Sequence, residues 1–461
     1  MQPLDYQQIA VSDRLKEDYN QAIIQKFCVF YLFCWTIAPI LAVGTIWRLL
    51  AVMAFGMWYF LAKKRGFRPN TAVSRAVGFV IIVAVVDLLT LIQLKPFYKQ
   101  FIRRIDLFML AIAICMFNFY LKHPEELSDL VPYLMLMLAF FNFTTGKALL
   151  VDANIARQVV RNSEVARDAL QQGIGGYTLL YLQVCSLPAI LFWCKNLISK
   201  GKDKKQMAIA GCWFLSYLLF CFKASYSIAL FCTALSFFLI LSGKKTKLKQ
   251  SLLIMIAMFV LMLVAITYVD SFRSMLFDTF QGTAIERKLH DFSVVNGLEN
   301  DNDTYAQRLL DAGEDADLNY GSIEGRKDRY LVSLTQLIYY PVIGGLFFDP
   351  RTGAHSAILD TFARYGWLGG WLYCCMIFAV PITLKKHVLQ YPSLITLMNA
   401  TFTIILFVGI LDSFAFEMTF NVVMLNAVFF LALMKMEQQK TNMASSNNMP
   451  MTPNSPVVTG T

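Results

Sequence analysis

Residues 207–242 read MAIAGCWFLSYLLFCFKASYSIALFCTALSFFLILS, two apolar runs parted only by the short segment around Lys223. Lys202, Lys204 and Lys205 precede the first run, and Lys244, Lys245, Lys247 and Lys249 follow the second. Crossing a hydrocarbon core takes about 20 mainly apolar residues, so each run is close to one span. Cations gathered at both outer ends of the pair put those ends on one side of a membrane, and the positive-inside rule makes that side the cytoplasm. The stretch is a membrane hairpin, and the rest of the chain repeats its pattern.

Further apolar runs at 27–44, 46–62, 76–94, 107–121, 131–149, 176–194, 251–268, 362–383, 393–411 and 418–434 bring the total to about twelve. Of 461 residues, 57% are hydrophobic and 16% charged, against roughly 25% charged in soluble domains. So few charges do not cover a water-facing surface. The expected fold class is an all-α polytopic membrane protein of about 12 transmembrane helices. The clusters Lys63–Lys64–Arg65–Arg68, Lys195–Lys200 and Lys385–Lys386 fall on the same side as those around the hairpin, which puts both termini in the cytoplasm. Lys95, Lys99, Arg103 and Arg104 fall on the other side, so either that segment lies along the membrane surface or the third and fourth spans are bounded differently. The net charge of +10 is explained by these loops, so nucleic acid is not an expected partner. All ten Cys lie in or beside apolar runs, which leaves no disulfide framework and no metal knuckle.

The expected organisation is a cytoplasmic N-terminal segment at 1–26, nine spans over 27–268 with an outer amphipathic loop at 150–175, a large extracytoplasmic loop at 269–361, three spans over 362–434, and a low-complexity, disordered cytoplasmic tail at 435–461.

Chemistry is expected in the large loop. The chain has 4 His; His123 and His387 fall in short cytoplasmic loops and read as solvated bystanders, whereas His290 and His355 lie outside. His355 sits in Asp349-Pro350-Arg351-Thr352-Gly353-Ala354-His355-Ser356, between a Gly-rich turn and a new helix. An imidazole there is a helix cap or a proton acceptor poised near neutrality. Arg326 and Arg329 lie one helical turn apart, and Arg351 lies close to His355. Guanidinium forks suit phosphate oxygens, and outward cations beside a membrane point to an anionic ligand. Lys223, in the outer turn of the hairpin, raises the same question. The Asp-x-Asp pairs at Asp301–Asp303 and Asp315–Asp317 sit in an acidic Gly/Asn-rich stretch and read as solvating, so no metal site and no cofactor is expected.

The run from Arg329 through Tyr340-Pro341-Val342-Ile343-Gly344-Gly345, Gly353-Ala354-His355-Ser356 and Tyr365-Gly366 to Gly369 resembles the signature of the O-antigen polymerase/ligase superfamily. Arg157 and Gly173 in the first outer loop, and Arg329 and Gly345 in the second, are each separated by fifteen residues, a spacing similar to that of Wzy-type polymerases. The resemblance implies a GT-C-like helical fold and metal-independent, inverting transfer of undecaprenyl-diphosphate-linked glycans at the outer face of a bacterial inner membrane. It implies His355 as the base, Arg326, Arg329, Arg351 and Lys223 on the diphosphate, and Arg157 and Asp412 on the sugars, with Glu417 competing for the last role. The implied motif turn is Gly344, Gly345 and Gly353. Implied partners are the lipid-linked donor and acceptor, membrane lipids and a chain-length regulator. A ligase that moves finished glycan onto lipid A core would use the same residues. A lipid-linked oligosaccharide flippase has a similar span count, but its two halves should match, and here the one large loop is asymmetric.

Overall fold

A computed structural model describes residues 3–42, 44–94, 105–152, 155, 163–200, 203–224, 227–241, 248–279, 289, 323–345, 356–387, 391–392, 394–412 and 416–447. Regular structure among them is helical throughout. In chain order the helices are α1 (Pro3–Ile37), α2 (Pro39–Ala42), α3 (Thr45–Lys64), α4 (Thr71–Leu94), α5 (Ile105–Tyr120), α6 (Pro124–Ser128), α7 (Val131–Val151), α8 (Ser163–Gln171) and α9 (Tyr177–Lys200). They continue as α10 (Lys204–Lys223), α11 (Ser227–Leu241), α12 (Leu248–Tyr268), α13 (Asp270–Thr279), α14 (Ile323–Tyr339), α15 (Ala357–Ile377), α16 (Ala379–Leu384), α17 (Leu394–Leu411) and α18 (Phe416–Asn447).

Local chemistry sets many of the ends. Asn70 Oδ1 accepts the N–H groups of Ala72 and Val73 (3.0 and 3.1 Å) at the start of α4, and Asp203 Oδ1 accepts that of Gln206 (3.1 Å) at the start of α10. Such caps satisfy amides that have no partner within the helix. Gly173 closes α8 at φ 75°, with Gly173 N–H donating to Leu170 O (3.1 Å) and Ile174 N–H to Ala169 O (2.9 Å). That pair of bonds is a Schellman closure, which needs a left-handed residue and so selects Gly.

The apolar runs of the sequence fall on helices, and among the described residues seven helices are long and apolar enough to cross a membrane. The chain is an α-helical membrane protein. Its middle is formed by α18 and α9, whose candidate spans are 94% and 83% buried; α12, at 12%, lies on the periphery. A helix that is apolar all round needs apolar surroundings on every side, and neighbouring helices supply them for the first two. α18 packs against α5 and α9, α7 against α10, α4 against α15, and α9 also against α11 and α17.

Side-chain contacts sort the helix ends into two sets. At one end, Lys26 meets Asp129 (2.8 Å), Arg65 meets Glu126, Lys435 approaches Asp129 (3.5 Å), and Lys195 Nζ donates to Ile240 O (2.8 Å). The opposite ends of α9, α15 and α17 meet at Tyr181, Ser356 and Asp412.

Some boundaries differ from those the composition suggested. The polar opening stretch is not separate from the first apolar run, because α1 is continuous from Pro3 to Ile37. The last helix runs to Asn447, so 435–447 are helical and not part of a disordered tail. The tenth apolar run starts as helix at Ala357, five residues before 362, because Ser356 caps it there. Lys95, Lys99, Arg103 and Arg104 lie outside the described residues.

Candidate active site

The turn Pro341-Val342-Ile343-Gly344-Gly345, which follows α14, inserts into a break in α15. At Gly366 the backbone of α15 leaves the helical region, with φ 67° and ψ −173°. This opens the hydrogen bond that a regular helix makes from the N–H of residue 367 to the carbonyl of residue 363. The turn takes up both halves: Trp367 N–H donates to Pro341 O (2.8 Å), and Gly345 N–H donates to Ala363 O (2.6 Å). Gly344 has φ 78°, and a Cβ there would lie 2.1 Å from Arg364 O. A Cβ on Gly366 would lie 2.1 Å from Val342 O. Both positions need Gly for its left-handed backbone and for its missing side chain.

Above this interlock, polar groups hold the start of α15. Ser356 Oγ accepts the N–H of Leu359 (3.0 Å) and donates to Gly409 O (3.1 Å). The buried Asp360 reaches back with Oδ2 to accept the Ser356 N–H (3.1 Å), and its Oδ1 accepts the hydroxyl of Ser333 on α14. Ala357 N–H donates to Asp412 O (2.9 Å), just past the end of α17, and Tyr330 Oη donates to Leu411 O (2.8 Å). Tyr181 of α9 donates its hydroxyl to the Asp412 carboxylate. Four helices, α9, α14, α15 and α17, are thereby fixed around the residue that follows His355.

Of the residues expected at a site, Gly344 and Gly345 are buried in the interlock, and Asp412 lies at the rim. Arg329 is half-buried on α14, next to Tyr330. Arg326 belongs to the first turn of the same helix, and Glu417 to the first turn of α18. His355, Arg351, Gly353, Arg157, His290 and the two Asp-x-Asp pairs lie outside the described residues. Lys223 is exposed in the last turn of α10, where a cation complements the helix dipole. No hydrogen bond among the described residues ties it to the Tyr181–Asp412 group. Tyr181, Ser333 and Asp360 were missed by the sequence reading. Only Asp360 carried a local signal, a carboxylate one turn into a helix capped by Ser356.

The opposite end of the molecule holds a second polar group. Both Glu126 oxygens receive Arg65, at 2.5 and 3.0 Å, with each side chain 10% exposed. Arg65 also donates to Gln25, whose own amide donates to Trp58 O (3.3 Å). His123 stacks on Phe119 (4.7 Å between centroids) and stands 3.8 Å from Glu126. It is therefore not the solvated bystander its loop suggested; burial lowers its pKa below the ordinary value, outweighing the opposing pull of Glu126. His123, Glu125 and Glu126 bring ligand atoms within 4.8 Å of one another, but both Glu126 oxygens are already engaged by Arg65.

The chain matches no protein-family profile and no curated protein sequence.

Proposed function

We propose that this protein is a polysaccharide polymerase of the Wzy type. It joins undecaprenyl-diphosphate-linked repeat units, as O-antigen, capsule or exopolysaccharide, at the outer face of a bacterial inner membrane. In this reading the helices form twelve spans in a GT-C-like arrangement, the basic ends face the cytoplasm with both termini, and the Ser356 rim faces outward. The observation that carries the reading is the convergence of α14, α15 and α17. It brings the helix of Arg329, the residue directly after His355, and Asp412 to one rim, held by hydrogen bonds on all sides.

The chemistry follows from these residue types. An acceptor hydroxyl oxygen attacks the donor anomeric carbon, the bond from that carbon to the diphosphate oxygen breaks, and the configuration inverts. His355 takes the hydroxyl proton as the new bond forms. Negative charge develops on the departing undecaprenyl diphosphate, and Arg329 with Arg326, Arg351 and Lys223 neutralises it. Arg157 and Asp412 orient the sugars, and Tyr181 fixes the Asp412 carboxylate. A regulator of chain length is a further expected partner.

The test is deletion of the gene with gel analysis of surface glycan. Core carrying one repeat unit supports a polymerase. Bare core with lipid-linked polymer retained supports a ligase, and loss of all outward-facing lipid-linked units supports a flippase.

A further inference from the structure

Helix α14 is amphipathic the wrong way round for water. Its inward stripe is polar: Ser333 and Gln336 are 0% and 5% exposed, and Arg329 and Tyr330 are half-buried above them. Its outward stripe is apolar: Leu331, Leu334, Ile338 and Tyr339 are exposed, and the following turn continues the patch with Val342 and Ile343. A helix facing water hides its apolar stripe, so this one faces an apolar medium.

The hydrogen bonds fix how deep the helix reaches. Tyr330 is tied to Leu411 O, and Ala357 N–H to Asp412 O, so both helices pass the end of the candidate span α17 at the same level. Ser333 meets Asp360, each three residues further on. The turn then meets Ala363 and Trp367, six and ten residues into α15. At 1.5 Å per residue these lie about 9–15 Å below the rim. The eleven residues from Tyr330 to Pro341 descend by about the same amount, roughly 16 Å, so α14 runs down beside α15 in the same direction.

Two further features agree. The exposed residues change from charged at Lys327 and Asp328, above the rim, to uncharged and mainly apolar below it, Thr335 being the polar exception. At its lowest point the polypeptide meets its polar groups internally: the opened bond of α15 and the amides of Gly344 and Gly345 all find partners within the protein. Lipid demands such internal pairing and water does not. On α15, Trp367, whose N–H meets Pro341 O, is likewise exposed, as are Leu368 and Trp371.

We propose that α14 and the Pro341–Gly345 turn form a re-entrant membrane element, its outward face covered by phospholipid acyl chains of the leaflet on the Ser356 side. The segment from Tyr330 to Gly345 then lies within the bilayer and not in an aqueous loop. This holds whatever reaction the rim supports.

The test uses the native protein in phosphatidylcholine nanodiscs, probed by hydroxyl radicals from water and by a hydrocarbon-soluble carbene precursor from the lipid. Tyr339 and Tyr19 are comparably exposed, 73% and 67%, while Tyr217 is fully buried. The proposal expects Tyr19 to oxidise readily, Tyr339 to be as unreactive as Tyr217, and the carbene to label the peptide 331–343. Oxidation of Tyr339 at the rate of Tyr19 would overturn it, since the face would then be in water. Protection of Tyr339 without carbene labelling would also overturn it and would assign the face to a second copy of the chain.

Discussion

Gly344→Ala should be among the most damaging single-methyl changes in the molecule. A left-handed backbone costs an L-residue about 1–2 kcal/mol. The added Cβ would also lie 2.1 Å from Arg364 O and 2.5 Å from Tyr365 N, both backbone atoms of a packed helix. The turn must therefore withdraw, which forfeits the bonds Gly345 N–H to Ala363 O and Trp367 N–H to Pro341 O. Each is worth about 1 kcal/mol net, and more where the stranded groups stay buried, so the total is at least about 3 kcal/mol. Two controls separate the terms. Gly66 has the same φ of 78° but nothing within 4 Å of its Cβ position, so Gly66→Ala should show the backbone strain alone, about 1–2 kcal/mol. Gly56, inside α3, has neither strain nor contact, and Gly56→Ala should be neutral or stabilising by up to about 1 kcal/mol. Thermal unfolding can be followed through the exposure of the buried Cys28, Cys185, Cys221 and Cys232 to a thiol-reactive fluorophore. The expected order of melting is Gly344→Ala first, then Gly66→Ala, with Gly56→Ala at or above wild type. Equal melting of Gly344→Ala and Gly66→Ala would refute the interlock.

Three other outcomes are expected. Arg65→Ala should destabilise the protein by about 3–5 kcal/mol, because it leaves the buried Glu126 carboxylate unpaired, and the same unfolding assay reads it. Burial lowers the pKa of His123 in the folded protein, so its contribution to stability is fully present above the unfolded value of about 6.5 and is lost as pH falls through the lowered folded value. His123→Gln should flatten that part of the stability–pH profile. Arg329→Ala should leave a folded, inserted protein without glycan transfer, and Arg329→Lys should restore little, because a charged hydrogen bond worth about 1.5–3 kcal/mol depends on the guanidinium fork; wild-type polymer from Arg329→Ala at native expression would displace it from the site.

What the sequence disclosed follows from the range of each interaction. Apolar periodicity acts within a few residues, so the hairpin at 207–242 was legible, and so was a new helix after the Gly-rich turn, although its cap at Ser356 lies ahead of the apolar run that marked it. The Pro341–Gly345 turn was visible as a Gly-rich segment, but its docking into the break at Gly366 was not, because the fit depends on two backbones meeting. The pairs Arg65–Glu126 and Tyr181–Asp412 join distant segments and leave no spacing pattern. The burial of Ser333 and Gln336 on α14, with Leu331, Leu334 and Ile338 exposed, was not legible, because which face of a helix packs inward depends on partners distant in sequence. His123 was misjudged for a related reason: a short loop suggests exposure, whereas α6 folds it against Phe119.

Substitution of His355, the residue before Ser356, is the sharpest test of the proposal that this rim is a glycosyl-transfer site. Purified wild-type protein and His355→Ala, matched for folding by the cysteine-exposure assay, would be compared for transfer between lipid-diphosphate-linked repeat units, with and without excess EDTA. A glycosyl-transfer site there should lose about two to four orders of magnitude of activity in His355→Ala, the usual contribution of a positioned acid–base group, with undiminished wild-type turnover in chelator. Full activity in His355→Ala, or wild-type activity that collapses in EDTA and returns with Mg²⁺ or Mn²⁺, would contradict it.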